Sequence, residues 1–287
     1  MSHDGQVSTL RPFDPSTSSG QAKLRAGQAQ GRPSSTTDTR LGRRVVFLHA
    51  HPDDETLATG SLLADLVANG RQVAVVTATR GERGAVVPGP LSALAGTPQL
   101  VEHRLGELAG ALAELGVTDH VFLGTPPARD GGAVPRRYTD SGMRWLDSAE
   151  TVAGPGGDAG PDSLTSVPIE QAAADLAAYL RHHAADTLVA YDRHGGYGHP
   201  DHVACHQIAR AATALTGTPL VELVSEPLLP VPGAEEVALP QWLPVVQRAL
   251  GHYASQLTVD GDQVIHVGGQ RQPIVTTVWL LAHVPRA

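Results

Sequence analysis

From Arg44 onward the chain alternates between short apolar runs and longer segments with helical spacing. Val45–Ala50 (VVFLHA) is apolar without polar alternation, as expected of a strand covered on both faces. Leu57–Asn69 carries apolar residues at helical spacing and stops at Gly70, which suits a helix C-terminus. Gln72–Thr79 (QVAVVTAT) predicts a second buried strand, and Gln99–Leu115 a helix ended by Gly116. Asp119–Leu123 reads as a strand, Ile169–His183 as a helix, Thr187–Tyr191 as a strand, Asp201–Leu215 as a helix and Pro219–Val224 as a fifth strand. Repeated β-α-β units predict an α/β, Rossmann-like fold, a mostly parallel sheet with helices on both faces. The Gly- and Pro-rich stretch between Gly124 and Pro168 fits no element, and a segment of that size in a compact domain is usually functional.

Residues 1–40 differ in kind. They are rich in Ser, Thr, Gly, Pro and Gln, with few large apolar side chains. Such a composition does not offset the entropy of ordering, so residues 1–43 are expected to be a disordered, low-complexity extension and 44–287 one catalytic domain. Charge divides at the same place. Residues 1–44 carry a net of +4 and the remainder a net of -12. An acidic body argues against nucleic acid as a partner.

Composition removes several chemistries. Lys23 is the only lysine, so the body can build neither a P-loop nor a Schiff base. Cys205 is the only cysteine, which excludes intrachain disulfides and thiolate-rich zinc sites. No apolar run reaches the roughly 18 residues of a membrane span, and the N-terminus lacks the apolar stretch of a signal peptide, so a cytoplasmic protein is expected. Fourteen histidines against one cysteine favour a nitrogen-and-oxygen site if a metal is bound.

Two polar motifs fall at the carboxyl ends of predicted strands, where ligands bind in such sheets. His51-Pro52-Asp53-Asp54-Glu55 follows the first strand, and Tyr197-Gly198-His199-Pro200-Asp201-His202 follows the fourth. Adjacent carboxylates on one turn need a cation or a shared proton to offset their repulsion. His51 and Asp54, three apart at a helix start, can converge on one metal, leaving Asp53 beside its open position. His202 would complete three protein ligands. A bland reading of HPDDE exists, an acidic and solvated helix N-terminus, but it leaves the second motif unexplained.

AHPDDE after one strand and GGYGHPDH after a later one resemble the zinc-dependent GlcNAc deacetylase superfamily, which includes the GlcNAc-phosphatidylinositol de-N-acetylases. His103–Leu108, Asp140–Met143 and Tyr191-Asp192 make the chain most similar to its mycothiol-biosynthesis branch, which deacetylates GlcNAc-inositol. The resemblance runs from about Arg44 to about Ala212, with His252 and Ser255-Gln256 matching a later motif. It implies a metal site of His51, Asp54 and His202 holding zinc, with ferrous iron as the alternative for such a donor set. It implies Asp53 as the general base, His199 oriented by Asp201 as oxyanion stabiliser or acid, and Tyr197 as a mobile group polarising the amide carbonyl. Arg104, Asp140 and Met143 match positions that hold the sugar or inositol, and Glu82 matches a glutamate near the site. The implied partner is a small amino-sugar substrate, with no nucleic acid and no membrane.

The chain departs from that branch at Thr277–Leu281 (TVWLL), where a Glu-Tyr or His-Tyr segment is usual. Related readings are a mycothiol S-conjugate amidase or another GlcNAc or antibiotic-sugar deacetylase. The amidases commonly carry a lysine soon after HPDDE, and here Thr56–Gly60 follows. A non-catalytic dinucleotide- or sugar-binding module would need GxGxxG after the first strand, where HPDDE stands.

Overall fold

A computed structural model describes residues 41–147, 152–225 and 231–283. The expected disorder of residues 1–43 falls almost wholly outside that range.

The centre is a seven-stranded sheet in the order β3-β2-β1-β6-β7-β12-β8. Strands β1 (Arg44–His49), β2 (Gln72–Thr77), β3 (Asp119–Phe122), β6 (Thr187–Tyr191) and β7 (Leu220–Leu223) are parallel. The pleat of β1 explains its uninterrupted apolar run. Val45 and Phe47 enter one core, whereas Val46 and Leu48 enter the core on the opposite face. The first core is closed by α1 (Asp54–Ala68), α2 (Pro98–Leu115) and α5 (Leu243–Leu250). The second is closed by α3 (Ile169–His183) and α4 (Pro200–Thr216). The predicted α/β class, with helices on both faces, is thus the observed one.

Two features differ from the expectation. α1 begins at Asp54 rather than Leu57, so the HPDDE turn is itself the first turn of the helix. The chain after Val224, for which no element was expected, adds to the sheet. β12 (Thr277–His283) pairs antiparallel with β7, and β8 (Glu235–Ala238) pairs antiparallel with β12. Between them β9 (Leu257–Asp260), β10 (Gln263–His266) and β11 (Arg271–Pro273) form a separate antiparallel sheet. Among its described residues, the unplaced stretch after Gly124 contains the two-residue strands β4 (Arg144–Trp145) and β5 (Ala153–Gly154).

The topology fixes where ligands can go. From β1 the chain winds outward through β2 to β3, then returns to place β6 on the other side of β1. The order therefore reverses between β1 and β6, and a crevice opens at their carboxyl ends. HPDDE leaves β1 there, and the glycine turn with His199 and His202 leaves β6 there.

Candidate metal centre and active site

The HPDDE turn has an unusual backbone. Asp53, the residue before α1, has φ 120° and ψ -32°, a conformation that a non-glycine residue adopts only when its surroundings enforce it. Four contacts do so. The amides of Thr56 and Leu57 donate to the Asp53 carbonyl at 3.0 and 2.9 Å. Glu55 Oε2 accepts the Asp53 amide at 3.1 Å, and Gln256 Nε2 donates to the Pro52 carbonyl at 2.8 Å. Glu55 is fully buried, and its other oxygen accepts the hydroxyls of Thr56 and Tyr253. Ser255 is anchored in turn by its amide and hydroxyl, both 2.7 Å from the buried Glu107 carboxylate. Residues 253–256 therefore strap the turn from about 200 positions further along the chain.

The glycine turn is built by Asp192. Its Oδ1 accepts the amides of His194 and Gly195 and the Ser225 hydroxyl, and its Oδ2 accepts the Ser225 amide. Gly195 sits at φ +63°, and a Cβ there would lie 2.8 Å from the Val203 nitrogen and 2.9 Å from His202 Cβ. Only glycine allows this turn to lie against α4. The reward is that Gly195 O accepts His202 Nδ1 at 3.2 Å and fixes the ring, which also stacks on Tyr191 at 4.3 Å between centroids.

Two imidazoles flank the Asp54 carboxylate in the crevice. Asp54 Oδ2 is 3.2 Å from His51 Nδ1 and 3.2 Å from His202 Nε2. Ligand atoms about 2.0–2.1 Å from a tetrahedral zinc are separated by about 3.4 Å, so each of these two spacings is close to that of a ligand pair on a divalent cation. Two further observations fit. His202 Nε2 is buried without a hydrogen-bond partner, although its ring is held from the other nitrogen. His51 Nε2 faces Asp201 Oδ2 at 3.1 Å, the carboxylate-histidine arrangement that orients a ligating ring. The ring nitrogens of His51, His199 and His202 also lie within 4.8 Å of one another, as do donor atoms of His51, Asp140 and Asp201. Asp54, in contact with both His51 and His202, distinguishes the first arrangement from the second.

Electrostatics carry the same message. Although burial opposes charge, Asp140, Asp201 and Asp54 hold the His51 imidazole well above its ordinary pKa, so the cluster of carboxylates demands a positive charge. Burial, then the neighbouring Asp54 and Glu55, push the Asp53 carboxyl well above the usual range. Asp54 is held well below it, because His202 and His51 outweigh the cost of burial. His199 is lowered to about 3 by burial and by His51 and His202, and is therefore neutral. Its Nδ1 accepts the Asp201 amide at 3.2 Å, which leaves the ring proton on Nε2.

The substrate-side residues sort differently from expectation. Asp140 is buried with Oδ1 3.7 Å from His51 Nε2, and Ser141 donates its amide to Asp201. The unplaced stretch thus forms one wall of the crevice. Glu82 does not face the crevice directly; it accepts the Asp140 amide and the Arg137 side chain. Arg104 is 1% exposed, and its guanidinium donates to the carbonyls of Gly81, Gly84 and Ala85, so it braces that loop. Met143 and Tyr197 lie on the surface, at 36% and 65% exposure, with the Tyr197 ring edge-on to His199 and His202. One expectation is corrected. The Asp201 carboxylate orients His51 rather than His199: its Oδ2 meets His51 Nε2 and the Ser141 amide, and its Oδ1 is buried without a hydrogen-bond partner. Only its backbone amide touches His199. His49, which could have competed as a ligand, is buried with Nε2 on Thr59.

Residues 46–213 match the family described as "PIG-L: GlcNAc-PI de-N-acetylase". The chain belongs to this family. Among curated relatives, the 1D-myo-inositol 2-acetamido-2-deoxy-alpha-D-glucopyranoside deacetylase of Kribbella flavida is 38% identical over 240 residues, 82% of this chain and 74% of that protein. The same-named protein of Kineococcus radiotolerans is 44% identical over 173 residues, 60% of this chain and 45% of its own length. This chain spans between about half and three quarters of such relatives. The fold is similar to that of the deacetylase in the teicoplanin biosynthesis pathway, with a TM-score of 0.55 at 20% identity over 84% of this chain and 99% of that one. It is also similar to the N,N'-diacetylchitobiose deacetylase of Pyrococcus horikoshii, with a TM-score of 0.51 at 19% identity over 74% of this chain and 70% of that one.

Several members of the site carried no sequence signal of their own. Tyr253 and Ser225 stand outside the motifs read in the sequence, and Gln256, matched there only to a later motif, gave no sign that it holds HPDDE.

Proposed function

We propose that the chain is a zinc-dependent amide hydrolase that removes the N-acetyl group from a GlcNAc-containing small molecule, of the class of GlcNAc-inositol. The observation that carries this reading is Asp54 Oδ2 held 3.2 Å from both His51 Nδ1 and His202 Nε2, next to Asp53 at its enforced φ of 120°. The curated relatives, whose names specify GlcNAc-inositol as the compound deacetylated, support the substrate class.

His51, Asp54 and His202 would hold the cation, which supplies Lewis acidity and brings the pKa of water to near 7. Asp53 then takes the proton of the attacking water as general base. His199, neutral with its proton on Nε2, donates to the amide oxygen as that oxygen gains charge, and Tyr197 reaches the same oxygen from the surface. Such a donor is worth about 3–4 kcal/mol of barrier. Asp53 returns its proton to the departing nitrogen, and the products are acetate and a free amine. Met143, 36% exposed at the rim, faces the sugar, whereas the buried Asp140 carboxylate accepts the Arg83 and Gly142 amides and shapes the wall behind it. The single cysteine and the absence of a membrane-spanning helix among the described residues accord with a cytoplasmic enzyme.

The test is metal content by emission spectroscopy together with acetate release from GlcNAc-inositol. Stoichiometric zinc, and release abolished by chelation, are expected; iron in place of zinc would change the metal assignment. Metal-loaded protein that releases no acetate would overturn the reading.

A further inference from the structure

A groove leads from the metal centre away from Asp140. At one end it is lined by Asp54, His202, Tyr197 and Tyr191. It continues between Leu57 and Ala58 of α1 and a wall made by Leu223, Val275, Val278 and Trp279. Neither His51 nor Asp140 borders it. Its volume is about 380 Å³, within the range of small-molecule sites, and its walls beyond the metal centre are mainly apolar. The wall opposite α1 includes Trp279, in the TVWLL segment that departs from the resembled branch.

The reacting carbonyl carbon of an amide bears two substituents that diverge. One is the nitrogen with its sugar, and the other is the acyl group. A sugar on the Asp140 side of His51 sends the acyl group toward the opposite side, into the groove. A methyl group is about the size of one water molecule, ~30 Å³, and leaves most of that space unused. An aliphatic chain would instead bury methylenes against Leu57, Val275 and Trp279.

We infer that this chain hydrolyses amino sugars carrying an N-acyl chain longer than acetyl, roughly four to eight carbons, with the chain seated between α1 and Trp279. The inference rests on the amide-hydrolase reading above. The reaction balances as for the acetyl substrate. Water forms the C–O bond, the C–N bond breaks, the proton taken by Asp53 goes to the amine, and a medium-chain carboxylate leaves.

The test uses the full, metal-loaded chain and glucosaminyl-inositol bearing acetyl, butanoyl or hexanoyl on nitrogen, followed by release of the free amine. The hexanoyl compound is expected to match or exceed the acetyl compound in kcat/KM, with a gain of up to about fourfold for each methylene buried. Val275→Trp and Ala58→Leu fill the groove and should each lower hexanoyl turnover at least tenfold relative to acetyl. Binding gives a second readout. Hexanoate, but not acetate, should quench tryptophan fluorescence at concentrations below 1 mM (about the weak end of specific binding), and Trp279→Phe should remove that response. Acetyl cleaved more than tenfold faster than hexanoyl, or hexanoyl turnover that neither filled variant alters, would overturn the inference alone. Failure to cleave any of the three would overturn the amide-hydrolase reading and this inference with it.

Discussion

Asp53 and Asp54 are adjacent carboxyls with opposite fates. Asp54 lies between two imidazoles and is held ionised, whereas Asp53 is half-buried beside two other carboxylates and its carboxyl is pushed up toward the protonated form. Environments that drive two titratable groups apart in this way separate a ligand from a base. Asp53→Asn should therefore keep the metal stoichiometry of the parent protein and lower kcat by about 10²–10⁴-fold. Emission spectroscopy and a steady-state assay on the same sample check both halves, and loss of metal would move Asp53 into the ligand set. The sequence made this pair legible because charge repulsion between neighbours needs a reason. It could not show that Asp53 sits at φ 120°, since the residues that enforce that angle are remote. Nor could it separate Asp201 from His199, because two residues of spacing leave open which side chain the carboxylate reaches.

At the scale of elements, the strands and helices up to β7, apart from the two-residue β4 and β5, were readable because each obeys one period and ends on a glycine, a proline or a polar turn. The observed bounds of α3 and β6 coincide with the predicted ones, and α2 and α4 differ by a residue at the ends. The chain after Val224 was not readable. β8 to β12 are short, partly exposed strands whose pairing is set by contacts with β7 and with each other rather than by a local pattern. The glycine turn shows how an element acts on the site. Gly195→Ala would place a Cβ against Val203 and His202 in a backbone region that alanine adopts at a cost of about 1–2 kcal/mol. Displacing His202 from its Gly195 carbonyl should weaken metal affinity about 10–100-fold, as loss of a ligand's outer support typically does. Competition with a chromogenic chelator measures this, and unchanged affinity would show that the turn is not what holds the ring.

For the whole molecule, one edge of the sheet gives stability a pH dependence apart from the metal centre. His120 on β3 is pushed down to about 4 by burial, with its Nε2 3.0 Å from Thr77 Oγ1. The unfolded chain titrates this ring near 6.5, so between pH 6.5 and about 4 it binds more protons than the folded one. Stability contributed by the neutral ring is complete above pH 6.5 and declines as pH falls toward 4. In metal-saturated protein, His120→Gln, which retains a hydrogen-bonding side chain, should flatten the fall in Tm over that window. A parallel shift of the whole curve would count against the assignment.

The strap at residues 253–256 bears on how the protein comes into being. The matched family region ends at residue 213, yet Tyr253 and Gln256 are among the groups that hold the HPDDE turn. On the ribosome, β1, α1 and the three residues proposed to hold the cation emerge before those two residues do. Until they arrive, Glu55 lacks one of its hydroxyl donors and the Pro52 carbonyl lacks its amide. A nascent chain could thus gather a cation early while its base remained unset, so that competence for hydrolysis is acquired late, when synthesis has passed residue 256.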